Sequence, residues 1–135
     1  MPEIHDVVEA ALYVDDLERA EAFYRDVLGL PQVMKKEGRH VFFRVGEGLL
    51  LLFDPETSRA GGAVPAHGAT GSGHVALGIN WGDLDAWRGR LRDHRVEIEQ
   101  EVDWPPGGKS LYFRDPDGNS VELITPGCWN LPSGW

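Results

Sequence analysis

Two short stretches carry residues suited to chemistry. Glu9-Ala10-Ala11-Leu12-Tyr13-Val14 and His74-Val75-Ala76-Leu77-Gly78-Ile79 alternate in the same way and align without a gap. Read as strands, they turn Ala10, Leu12 and Val14, with Val75, Leu77 and Ile79, to one face. Glu9 and His74 then share the opposite face. The same parity adds His40, Phe42, Arg44, Leu50, Leu52 and Asp54 from the first half of the chain. From the second half it adds Ser110, Tyr112, Arg114, Ser120, Glu122 and Ile124. Imidazoles, carboxylates and rings converging on a concave surface are what a small-molecule site requires, and His40 is the candidate proton carrier among them.

The elements that must position these groups follow in order. Val8 to Val14 reads as a half-buried strand. Asp15-Asp16 caps a helix whose apolar positions Leu17, Ala20, Tyr24, Val27 and Leu28 keep helical spacing until Gly29 and Pro31 end it. Arg39 to Val45 and Leu49 to Asp54 read as a hairpin through Gly46-Glu47-Gly48, after a short strand at Val33 and Met34. The stretch from Pro55 to Gly73 is rich in Gly, Ala, Ser, Thr and Pro, without periodicity, and reads as a long connection. Asp83 is expected to cap a second helix carrying Leu84, Trp87 and Leu91. A strand near Val96 to Val102 and a turn-rich loop over Trp104 to Lys109 come next. Strands at Ser110 to Arg114 and Ser120 to Ile124 flank Asp115-Pro116-Asp117-Gly118-Asn119, a strong turn signature. The tail from Thr125 carries Trp129 and Trp135, whose rings need cover.

The later strands repeat as well. Phe42-Phe43-Arg44 falls on Tyr112-Phe113-Arg114, and Leu50-Leu51-Leu52 on Ser120-Val121-Glu122. The expected fold is therefore α+β: two βαβββ modules, a first over residues 1–54 and a second over 73–126, with a connecting loop at 55–72 and a tail at 127–135. One helix per module covers only one face of its sheet, so the other face is left to line a cavity or meet a partner.

A net charge of −9 makes nucleic acid or an anionic membrane an unfavourable partner and leaves a small molecule or another protein. The single Cys128 excludes an intrachain disulfide and any thiolate metal cluster. The first residues lack a basic region followed by an apolar run, and no apolar stretch approaches membrane-spanning length; a cytoplasmic protein is expected.

Four segments together resemble the vicinal oxygen chelate superfamily of glyoxalases, extradiol dioxygenases, fosfomycin-resistance enzymes and bleomycin-resistance proteins. They are Tyr13-Val14-Asp15-Asp16-Leu17-Glu18-Arg19-Ala20, Phe23-Tyr24-Arg25-Asp26-Val27-Leu28-Gly29-Leu30, Gly73-His74-Val75-Ala76-Leu77, and the run from Phe113 to Leu123. The resemblance implies that the modules' sheets curl into a half-barrel with helices on the outer face, commonly in a homodimer. It also implies one divalent ion, of Zn, Ni, Mn, Fe or Mg, held by Glu9, His74 and Glu122. Those are residues that parity alone had put on the open face.

One imidazole and two carboxylates can hold such an ion with positions open for an oxygen-bearing substrate, and a carboxylate such as Glu122 can move a proton. A Glu at position 9 departs from the two-His, one-carboxylate set of iron oxygenases. Leu52 stands where glyoxalase-like members carry a further carboxylate, with Asp54 two residues on. Phe42, Tyr112, Leu52 and His67 are the expected substrate contacts. The expected function is a metal-dependent lyase, isomerase or dioxygenase of the glyoxalase type. The alternative is a metal-free protein that sequesters an aromatic or antibiotic ligand.

Overall fold

In the computed structural model, which describes residues 1–105 and 107–135, the alternation after Val8 becomes strand β1 (Glu9–Tyr13). Helix α1 (Leu17–Ala22) begins where expected, because the Asp16 side chain accepts from the Arg19 amide at 3.0 Å. The periodicity does not run on as an ordinary α-helix. It widens into a π turn over Phe23–Val27 in which the Leu28 amide donates to the Phe23 carbonyl. That turn carries three buried side chains, Phe23, Tyr24 and Val27.

Strands β2 (Gln32–Lys36), β3 (His40–Val45) and β4 (Gly48–Phe53) complete a sheet of order β1-β4-β3-β2, with β1 and β4 parallel. Helix α2 (Pro55–Arg59) follows at once. The segment read as an unstructured connection thus opens with a helix. Its start is local chemistry: the Asp54 carboxylate accepts from the Glu56 and Thr57 amides at 2.9 and 3.0 Å, and Pro55 stands at the first turn, where a missing amide costs nothing. Asp54 therefore serves as the cap of α2.

These elements belong to one compact unit, Met1–Gly71; residues Ser72–Trp135 make the other. The second repeats the first: β5 (His74–Gly78), α3 (Leu84–Asp93), then β6 (Gln100–Asp103), β7 (Lys109–Arg114) and β8 (Ser120–Ile124), in sheet order β5-β8-β7-β6. Asp83 leads into α3 without a side-chain cap; its carboxylate instead accepts from Asn80 Nδ2 at 3.1 Å. Strand β6 starts later than expected. Arg95, at φ +60, turns the chain out of α3, and pairing with β7 begins only at Gln100. Pro106, within the loop expected at 104–109, lies outside the described residues.

In the first unit Leu12, Val14, Val41, Phe43, Leu50 and Leu52 form the covered sheet face, with Ala20, Tyr24, Val27 and Leu28 from the helical segment also buried. In the second, Leu77, Ile79, Leu111, Phe113, Val121 and Leu123 play that part with Leu84 and Leu91. Leu52 is wholly buried, paired with Leu12 and Val41. This corrects its expected place among the substrate contacts, and Leu50 moves with it. The open face of β4 carries Leu49, Leu51 and Phe53, the register partners of Glu9, Ala11 and Tyr13. The cause is loop length. Arg44 pairs with Leu49 across a short turn, whereas Arg114 pairs with Ser120 across a turn one residue longer. Glu122 therefore matches Leu51, not Leu52, and a slip of one residue exchanges the two faces.

The longer turn is built by its acidic and amide side chains. Asp115 Oδ1 accepts from the Asp117 and Asn119 amides, Asp115 Oδ2 accepts from Asn119 Nδ2, and Asn119 Oδ1 accepts from the Gly73 amide at 2.7 Å. Asn119 is nearly fully buried, so the turn is stapled to the start of β5. Asn119→Ala leaves the half-buried Gly73 amide without that acceptor and is expected to cost about 1–3 kcal/mol. Urea denaturation checks this, and an unchanged midpoint would contradict it. Among the described residues no helix is long and apolar enough to cross a membrane.

Candidate functional site

Within the second unit, the open face brings together His74 from β5, Ser110 and Tyr112 from β7, and Glu122 from β8. The registers require it, because Glu122 pairs with Ala76 on one side and Tyr112 on the other. His74 Nδ1 lies 3.0 Å from the Ser120 carbonyl oxygen. A carbonyl only accepts, so Nδ1 carries the proton and donates it. The other ring nitrogen, Nε2, then faces Glu122 Oε1 at 3.3 Å. A lone pair opposed to a carboxylate oxygen calls for positive charge between them, from a second ring proton or from a cation.

Glu122 is buried, at 5% exposure, while His74 is open to solvent. Ser110, fully buried, donates a hydrogen bond to Glu122 Oε2 and accepts from the Trp104 indole N–H at 2.9 Å. The Tyr112 ring lies nearly parallel to His74 at 6.3 Å. Burial pushes the Tyr112 phenol up, and the neighbouring Glu122 carboxylate pushes it the same way. The hydroxyl therefore keeps its proton.

The tail also reaches this unit's open face. A β-carbon at Gly78 would collide with the Trp135 ring, and one at Gly108 with the Cys128 sulfur. Backbone bonds from Trp129 and Leu131 to the Trp135 carbonyl close the tail on itself. Burial, and then the Glu122 charge, raise the Cys128 thiol, which stays protonated as an ordinary packing group.

The first unit has a different open face, made of rings. His40 stacks on Phe42 with centroids 4.2 Å apart, and Phe53 meets Phe42 at 5.5 Å and His67 at 4.7 Å. His67 is brought back from the segment after α2. Its Nδ1 lies 2.6 Å from the Tyr13 hydroxyl, and the buried Ser58 hydroxyl lies 3.1 Å from the same nitrogen. His40 Nδ1 is buried without a hydrogen-bond partner among the described residues.

Desolvation first, then the charges of Arg39 and Lys36, lower the His40 pKa, so its neutral form is favoured. The unfolded chain thus binds more protons here. The stability this group contributes is complete above the ordinary imidazole value of about 6.5. It is lost as pH falls through the lowered folded value. His40→Phe is expected to flatten that part of the stability profile between pH 8 and pH 5, as read by denaturant midpoints. A profile identical to the wild type's would contradict this.

Glu9 lies exposed on β1, opposite Leu49. Among the described residues no group of three or more His, Cys, Asp and Glu side chains is gathered as a metal-ligand cluster. Residue types and parity pointed to His74, Glu122, Tyr112, His40 and Phe42. Phe53 was missed with the β4 register. Parity puts Ser110 on the open face but assigns it no role, and the turn-rich sequence around Trp104 signals only a loop.

A surface groove beside α3, lined by Arg88, Arg92, Arg95, Val96, Glu97 and Ile98, lies apart from these groups. Its Arg88 is already held by Asp85 and Glu101 at 2.7 Å each.

Both units thus repeat the βαβββ pattern, with an open face that is ring-rich in the first and polar in the second. The chain belongs to the Glyoxalase/Bleomycin resistance protein/Dioxygenase superfamily, whose family model matches residues 6–123. It is similar to a solved lactoylglutathione lyase from Agrobacterium tumefaciens, with 42% identity and a TM-score of 0.91 over 96% of this chain and 100% of that one. It is 30% identical over 114 residues to the metallothiol transferase FosB of Staphylococcus haemolyticus (strain JCSC1435), covering 83% of this chain and 77% of the relative. It is also 30% identical over 131 residues to the catechol-2,3-dioxygenase of Bacillus subtilis (strain 168), covering 91% of this chain. The chain spans only 43% of that dioxygenase's length.

Proposed function

We propose that this chain is a metal-dependent enzyme of the glyoxalase type, acting on a small oxygen-bearing organic substrate. The observation that carries the reading is the His74–Glu122 pair, with imidazole Nε2 opposed to a carboxylate oxygen at 3.3 Å. The donor set fits a divalent cation. The Ser120 carbonyl fixes the imidazole tautomer that leaves Nε2 as donor atom, and the Ser110 hydroxyl orients the carboxylate. Glu9 is proposed as the third donor, on its chemistry and because it holds in the first unit the register position that His74 holds in the second. A Zn, Ni, Mn, Fe or Mg ion bound there would act as a Lewis acid on a substrate oxygen.

The chain's own residues supply the rest. The protonated Tyr112 hydroxyl is a hydrogen-bond donor, and the Glu122 carboxylate can accept a proton. In the first unit His40, Phe42 and His67 are proposed as ligand contacts, with His40 able to take up or pass a proton through its neutral ring. Relatives carry the names of a lyase, a transferase and a dioxygenase, and substrate trials distinguish these reactions. A homodimer is proposed as the working form.

Metal analysis tests the reading directly. Protein treated with chelator and reloaded should hold about one ion per chain. Protein that takes up none would overturn the proposal. The ring face supports a second reading, metal-free sequestration of a planar ligand, and tight aromatic-ligand binding that persists in chelator would favour it.

A further inference from the structure

Glu122 is buried on a sheet face and has two oxygens with different surroundings. Oε1 faces His74 Nε2, whereas Oε2 takes the Ser110 hydroxyl. The direction of that second bond is settled by its neighbour. The Trp104 indole nitrogen has a hydrogen and no lone pair to offer, so at 2.9 Å it must donate to Ser110 Oγ. A serine oxygen that receives this bond turns its own hydrogen away, and the carboxylate is the acceptor there. Trp104, Ser110 and Glu122 thus form a one-way chain of donors running from the loop after β6, through the wholly buried Ser110, to a single carboxylate oxygen.

We infer that Ser110, oriented by Trp104, is the positioning residue of this site: it occupies one oxygen of Glu122 and so presents only the other toward His74. This rests on the reading of His74 and Glu122 as donors to a divalent ion. A carboxylate free to rotate offers either oxygen, or both; one oxygen pinned by a buried hydroxyl keeps the other aimed. The sheet register makes the arrangement possible, since Ser110 and Glu122 stand on adjacent strands, offset by one pair on the same face. Trp104 bonds to Ser110 and Ser110 to Glu122, so their effect on an ion held by Glu122 would pass through the carboxylate.

The test uses full-length protein, stripped with chelator and titrated with Co²⁺, followed by calorimetry and by the visible absorption of bound Co²⁺. Ser110→Ala is expected to weaken Co²⁺ binding about 10–100-fold. It should also change the visible bands, because the released oxygen can then join the ion's coordination. Trp104→Phe keeps the hydroxyl but removes the donor that orients it, and a smaller loss in the same direction is expected. Ser110→Ala that binds Co²⁺ with the wild-type affinity and spectrum would overturn the inference. Should the β7 variant fail to fold, Trp104→Phe decides, and an unchanged affinity and spectrum there would overturn it too. Wild-type protein that binds no Co²⁺ would instead remove the metal reading itself, a result separate from either variant's.

Discussion

His74→Ala is expected to abolish divalent-ion uptake, taking the reloaded protein from about one ion per chain to none. The side chain is exposed, so little packing is lost and the protein should remain folded. What disappears is the nitrogen whose lone pair opposes Glu122 Oε1, in a ring whose tautomer is preset by a backbone carbonyl. The remaining carboxylate, backed by a serine hydroxyl, then loses the imidazole it faces. Metal content by elemental analysis, alongside a circular-dichroism spectrum, separates loss of the site from loss of the fold. Wild-type metal content in the variant would end the case for His74 as a ligand. Glu9→Gln, measured in the same way, tests the proposed third donor independently.

The largest expected effect on stability comes from Phe113→Ala, at about 3–5 kcal/mol. Phe113 is completely buried on β7, on the covered face of the second unit's sheet, and pairs with Val121. Removing the ring leaves a cavity that neighbouring side chains on a paired strand can fill only in part. Domains are stable by roughly 5–15 kcal/mol in all, so such a change is a large share of the total. It also loosens the strand that presents Ser110 and Tyr112, so ion affinity should fall with stability. Equilibrium denaturation gives the first quantity and Co²⁺ titration the second. A stability change below about 1 kcal/mol would show that the site relaxes around the lost ring, contrary to close packing.

Much of the site was legible because strand alternation is a local property. His74 and Glu122, like Tyr112 and Ser110, could be put on one face by counting in twos from a well-marked strand. The Asp115 to Asn119 turn was legible for the same reason, since its side chains bond within the turn. Helix α2 had a local signal too, in Asp54 followed by Pro55, but the surrounding Gly- and Ala-rich composition obscured it. Strand β4 had none. Leu49 to Leu52 is a continuous apolar run, and no alternation marks which leucines face the core.

By itself, then, the sequence determined the duplicated βαβββ pattern, the covered and open faces of five of the eight strands, and the residue types available for chemistry. All of these depend on neighbours a few positions apart. Only the tertiary structure decided the face of β4, because that turns on one residue of difference between two hairpin turns. It alone joined Trp104 to Ser110 and Glu122, returned His67 to Tyr13, and laid Trp135 on Gly78. Those contacts link positions whose separation along the chain carries no period, so they exist only once the sheets have closed on their own registers.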